Sequence, residues 1–304
     1  MSRKRRGGDV FATDVPRIRD WIALDDTDRR IEETRTWDAQ QWAREYFRGI
    51  GDVEITVASL QDSMLHVRAA LLADDAHLWW VAPRMCEMAA EADASMPDWT
   101  PAAARPSRAG LVMWASGTGI VSDDGAEARG ALWITFPDGG FSLTPIVAGD
   151  GAAGMVADWD HSCMWIDPRD GVKIPQITSS RRFADAMWRR LGATWLLAQS
   201  PTVGVVHGVK YWRRDPERPF AKPSLPGLIT QVTLREVDYG RPEIGGVKRP
   251  GQGPTHQFIV RGHWRQQACG PKRAWRRPTY IAPFVKGPAG TPLETKPAVR
   301  VWRR

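Results

Sequence analysis

The segment His256-Gln257-Phe258-Ile259-Val260-Arg261-Gly262-His263-Trp264-Arg265 sets one imidazole between two guanidinium groups. On a single extended strand side chains alternate between faces, so Phe258, Val260 and Trp264 fall on one side and Gln257, Ile259, Arg261, His263 and Arg265 on the other. The first side packs; the second presents cations. Gly270-Pro271 then turns the chain through Lys272, Arg273, Arg276 and Arg277, and Thr279 to Phe284 returns as an antiparallel partner. The expected object is a basic β-hairpin with an imidazole near its centre. Guanidinium forks match phosphate oxygens in pairs, and aromatic rings offer faces to unpaired bases, each stack contributing roughly 1–3 kcal/mol. Single-stranded RNA fits such a surface. The candidate RNA-binding residues are Arg261, His263, Trp264, Arg265, Lys272, Arg273, Trp275, Arg276, Arg277 and Tyr280.

A surface of this kind can hold RNA or cut it. Metal-free cleavage needs a base for the 2′-hydroxyl and an acid for the leaving oxygen, both reaching one phosphate. His263 is the candidate catalytic residue, with no carboxylate beside it in sequence; its other reading is a histidine hydrogen-bonded within the fold. A second group would have to come from His207, Tyr280, or the acids of Asp158-Trp159-Asp160-His161. Those acids also have the chemistry of metal ligands, but a lone acidic-aromatic cluster reads more simply as a turn. Binding is therefore favoured over catalysis. His256, on the packing face, reads as structural. Cys86, Cys163 and Cys269 are far apart, with no Cys-x-x-Cys pair and no histidine at finger spacing, so neither a disulfide framework nor structural zinc is expected. Walker loops, Gly-x-Gly-x-x-Gly turns and His-Glu-x-x-His helices are absent from the sequence. No metal and no cofactor is expected.

Charge supports the same focus. Lys248 to Arg304 carries 13 Lys or Arg against one acid, Glu294, a net of +12, so the rest of the chain carries −5 of the total +7. A module this basic, with Trp264, Trp275, Tyr280 and Trp302 interleaved, points to phosphate; the mildly acidic body could meet a peptide. The chain's 304 residues, 42% hydrophobic and 25% charged, suffice for a sizeable core and exclude a disulfide knot or long-range disorder. Its 16 Trp against 4 Tyr and 8 Phe make indole a main aromatic component of that core. No apolar run approaches the roughly 20 residues of a membrane span, and the basic start lacks a signal peptide's apolar stretch, so a cytoplasmic location without membrane contact is expected.

Apolar residues recur at helical spacing over Trp37–Phe47, Ala58–Leu72 and Pro83–Ala92, making the first third mainly helical. Pro97, Pro101 and Pro106 mark a connector. Leu111–Trp114, Ala131–Phe136 and Met164–Ile166 are β-prone. Ser180–Ser200 is the clearest helix, with Phe183, Met187, Leu191, Trp195 and Ala198 on one stripe. Tyr211–Pro226 resembles a surface loop, and Leu228–Val237 a strand. The expected fold is α+β, with a helical N-terminal region at 1–106, a mixed or antiparallel sheet core at 107–240, a linker at 241–254, and a basic C-terminal module at 255–304 that binds RNA or the ribosome.

The string Arg261-Gly262-His263-Trp264, preceded by Lys248-Arg249-Pro250 and His256 and followed by Gly270, arginines, Tyr280 and Pro283, resembles the ending of the type V-A anti-CRISPR family that represses biogenesis of the CRISPR effector nuclease. Met96-Pro97-Asp98-Trp99 and Trp195-Leu196-Leu197-Ala198 look similar in order and position. The resemblance implies a protein that recognises the emerging N-terminal peptide of its target during translation and brings about decay of the messenger being read. The implied partners are mRNA, the ribosome and a nascent peptide. The alternatives from the residues alone are a metal-independent, toxin-like ribonuclease and a non-catalytic single-stranded RNA-binding protein.

Overall fold

Short apolar runs build the centre of the molecule. The computed structural model describes residues 10–34, 57–96, 104–136, 140–165, 181–200, 203–213, 225–235, 258–260, 262–282 and 284–286. Strand β1 (His77–Val81) pairs in parallel with both β2 (Ala109–Trp114) and β8 (Leu225–Leu234). Antiparallel neighbours extend the sheet through β3 (Gly130–Thr135), β4 (Phe141–Ala148) and β5 (Met155–Ala157) on one side and β7 (Gly204–Arg213) on the other. Strand β6 (Cys163–Trp165) also pairs with β4. Every residue of β2 and β3 is buried, as expected of strands covered on both faces.

Alternation sends Trp79, Val81, Val112, Trp114, Trp133 and Leu143 into one layer, against α4 (Pro83–Asp93) and α5 (Arg181–Ala198). It sends Leu78, Leu111, Met113, Leu132, Ile134 and Ile146 into the other, against α1 (Val15–Trp21) and α3 (Val57–Leu72). The first layer is rich in indole: Trp133 meets Trp195 edge-on at 5.1 Å, and Trp114 Nε1 donates to Thr194 Oγ1 at 3.0 Å. Gly110 is required there, since a Cβ would lie 2.2 Å from the His77 carbonyl and 2.4 Å from the Trp133 ring. Between α1 and α2 (Thr27–Thr34), a π-helical turn (Ile22–Asp26) swings Asp26 inward, where it accepts from Arg29, the Trp159 indole and the Ala157 amide. This contact ties the N-terminal helices to the β5 edge.

The α+β class, the N-terminal helices, the mixed sheet and the C-terminal hairpin match the expectation from sequence. Two details differ. The central strand β1 lies within the stretch read as mainly helical. The stretch read as a loop from Tyr211 to Pro226 is strand at both ends, because β7 runs to Arg213 and β8 starts at Leu225. The expected helix at Trp37–Phe47 and the linker at 241–254 lie outside the described residues, as do His256 and Arg261. No helix among the described residues is long and apolar enough to cross a membrane.

Candidate nucleic-acid interface

Strand β10 (His263–Cys269) pairs antiparallel with β11 (Trp275–Ile281), in register from His263 opposite Ile281 to Cys269 opposite Trp275. Directly opposed residues share a face, so Trp264 and Tyr280 point to one side and His263, Arg265, Trp275 and Arg277 to the other. The unbroken strand expected from His256 to Arg265 is instead two: β9 (Phe258–Val260) pairs with β12 (Phe284–Lys286), and the chain leaves strand geometry at Gly262.

Docking is done by aromatic side chains. The Trp264 indole donates to the Ala92 carbonyl at the end of α4, at 2.8 Å, and meets Tyr280 edge-on at 5.2 Å. Tyr280 is 1% exposed and belongs to the layer that holds Trp79 and Trp195. Its hydroxyl is buried without a hydrogen-bond partner among the described residues. Burial, aided by the charge of Glu91, pushes the phenol up to about 12. Tyr280 therefore presents no ring face to a base, and Trp264 reaches RNA with at most part of its surface. Tyr280, expected to offer a face to a base, is thus buried, and Trp264 lies on the packing side as its alternation implied: together they hold the hairpin to the body.

The cations stand outward. His263, Arg265, Lys272, Arg273, Arg276 and Arg277 are exposed. Arg265 and Arg277 are hydrogen-bonded to the neutral amides of Gln267 and Gln199. Among the described residues no carboxylate pairs with Arg265, Lys272, Arg273, Arg276 or Arg277. The tip is shaped by backbone: Gly270 has φ +76°, and Lys272 and Arg273 take left-handed values of 51° and 57°. A Cβ on Gly270 would lie 2.5 Å from the Trp275 ring, so this indole rests on the glycine while remaining 64% exposed. It is a supported platform flanked by positive charge, suited to stack an unpaired base whose phosphates meet the arginines.

The proposed catalytic partners of His263 sit on separate elements. The Tyr280 side chain points to the opposite face of the hairpin. Asp158 accepts from the His161 amide and faces its Nδ1 at 2.8 Å in a short 3-10 turn, and Asp160 binds Arg30 at 2.5 Å, so this cluster is the turn its sequence suggested. His207 is on β7. A feature the sequence did not reveal is a cleft of about 260 Å³ lined by Asp26, Arg29, Arg30, Glu33, Asp124 and Asp158 to Asp160. Its charges are largely paired with each other. Burial raises the pKa of Asp26, against the opposing influence of Arg29. Among the described residues no cluster of three or more His, Cys, Asp or Glu side chains could hold a metal ion.

No family model matches the chain, and no curated protein matches it. Among solved structures it is similar to the crystal structure of AcrVA2, at 15% identity and a TM-score of 0.35, over 90% of this chain and 99% of that one.

Proposed function

We propose that this protein is an anti-CRISPR-like regulator that holds translated mRNA through its C-terminal hairpin, recognises a nascent target peptide through its body, and promotes decay of that messenger in the cytoplasm. The observation that carries the RNA half is the hairpin tip: Lys272, Arg273, Arg276 and Arg277 are exposed around the supported Trp275 ring, with no carboxylate pairing them among the described residues. The peptide half rests on the resemblance of the Lys248–Pro283 elements to the type V-A anti-CRISPR ending. Binding without intrinsic cleavage is favoured because the Tyr280 side chain points to the other face of the hairpin from His263, and Asp158 and Asp160 are engaged by His161 and Arg30.

The test has two arms. Purified protein incubated with single-stranded RNA in chelator should retain it uncut, and His263→Ala should leave the RNA equally intact. Cleavage lost in His263→Ala would establish the ribonuclease instead. In cells, repression should survive synonymous recoding of the target's first codons and fail when the encoded residues change; repression that follows the nucleotide sequence would refute peptide recognition.

A further inference from the structure

We infer that Gln199 and Gln267 are positioning residues of the RNA site: each holds an arginine, Arg277 and Arg265 respectively, ready for phosphate without cancelling its charge. The inference rests on the RNA half of the proposed function. Arg265, Gln267 and Arg277 share the outer face of the hairpin, with Gln267 two residues along β10 from Arg265 and directly opposite Arg277. Gln199 comes from the body, one residue past the end of α5. Its Oε1 accepts from Arg277, and its Nε2 donates to the Ala104 carbonyl at 2.5 Å. Gln267 repeats the pattern: Oε1 accepts from Arg265, and Nε2 donates to the Ala268 carbonyl at 3.3 Å. A carbonyl can only accept, so it fixes which end of each amide faces it and leaves the oxygen for the guanidinium.

An amide suits this task better than a carboxylate. An untethered arginine surrenders rotamer freedom when it binds phosphate, and a tether made beforehand removes that cost from the binding step. Asp or Glu would tether as firmly, but would also cancel the charge that neutralises a phosphate and releases its counterion. The amide takes one N–H of the guanidinium fork and leaves the others for phosphate oxygens. In the body, arginines are fastened by acids: Arg190 by Asp93, Arg29 by Asp26 and Arg30 by Asp160. On the hairpin the tethers of Arg265 and Arg277 are neutral, and among the described residues no carboxylate pairs with either. Arg277 also shares its face with the Trp275 platform two residues away, so the held charge stands beside the ring offered to a base.

The probe is a fluorescein-labelled oligouridylate of about ten nucleotides, titrated with the full chain over a range of salt, with a urea midpoint taken on each variant. Gln199→Met frees Arg277 without touching its charge, so affinity should fall about threefold while the salt slope stays as it was. Gln199→Glu gives up the donation to Ala104 but pairs with Arg277; affinity should fall about fivefold at about 0.1 M salt, and the slope should flatten by about 0.7. In an Arg277→Gln background Gln199→Met should change nothing further, and Gln267→Met should be silent once Arg265→Gln is in place. A glutamine that only braced the fold would add its loss in either background. Unaltered affinity in Gln199→Met, a slope that Gln199→Met and Gln199→Glu change alike, or full additivity with Arg277→Gln would overturn the positioning role. If Arg277→Gln weakens binding while the Gln199 variants are silent, the RNA half stands and this inference falls; a wild-type chain that leaves the oligonucleotide unbound removes both.

Discussion

Removing the Tyr280 hydroxyl should stabilise the protein. The phenol is 1% exposed and its oxygen finds no hydrogen-bond partner among the described residues, so folding strips water from a polar group and returns nothing. Such a group costs about 1–3 kcal/mol. Tyr280→Phe keeps the ring, its edge-on contact with Trp264 and the packing on the α4–α5 layer, and deletes only that cost. A gain of about 1 kcal/mol is expected, with a rise of roughly 2 °C in Tm. Tyr280→Ala should instead lose about 3–5 kcal/mol, the penalty for emptying a buried aromatic site. Urea titration followed by tryptophan fluorescence reads both. RNA affinity should be unchanged in Tyr280→Phe, since the cations lie elsewhere on the hairpin. A loss of 1 kcal/mol or more in Tyr280→Phe would show that the hydroxyl is bound, and the account of hairpin docking would fail.

The same residue should titrate late. Its phenol ionises near 10 when exposed and at about 12 in the fold, so its contribution to stability is complete below pH 10 and lost as pH rises through 12. Absorbance at the phenolate band should show one tyrosine ionising only at the alkaline end, together with unfolding; titration of every tyrosine near pH 10 in a folded protein would contradict burial. Arg190, buried beside Asp93 at 2.6 Å and donating to the Thr118 carbonyl at 2.8 Å, links α5 to α4 and to the segment after β2. Arg190→Met should cost about 3–5 kcal/mol by stranding these partners. Asp93→Asn should cost less, because burial already raises the pKa of Asp93 and so opposes its charge. Equal losses in chemical denaturation would refute that asymmetry. Gly270→Ala should displace Trp275 and strain the turn at φ +76°, weakening RNA binding about tenfold and lowering the urea midpoint; unchanged affinity would remove Trp275 from the binding surface.

Legibility from sequence followed the range of the determining contacts. The stripe Phe183, Met187, Leu191, Trp195 and Ala198 is local, and every member is buried. The hairpin pairing was legible because Gly270-Pro271 marks the turn and both strands flank it. β1 was not. His77-Leu78-Trp79-Trp80-Val81 shows no apolar–polar alternation, because it is covered on both faces, and its parallel partners β2 and β8 are distant in sequence. Tyr280 was misplaced for a different reason. Alternation put Trp264 inward, but Tyr280 follows it only in the register that sets the two opposite each other, and the length of the loop had to be known first.

A hairpin tip that grips phosphates, as proposed, must show it in the salt dependence of its RNA affinity. If Arg265, Lys272, Arg273, Arg276 and Arg277 each neutralise one phosphate of a single strand, log affinity against log salt should fall with a slope of about −3.5. Lys272→Asn and Arg273→Asn suit the left-handed backbone there; combined with Arg276→Gln, they should flatten the slope by about 2 and leave urea stability unchanged. A slope and affinity unaltered in this folded triple variant would contradict the claim.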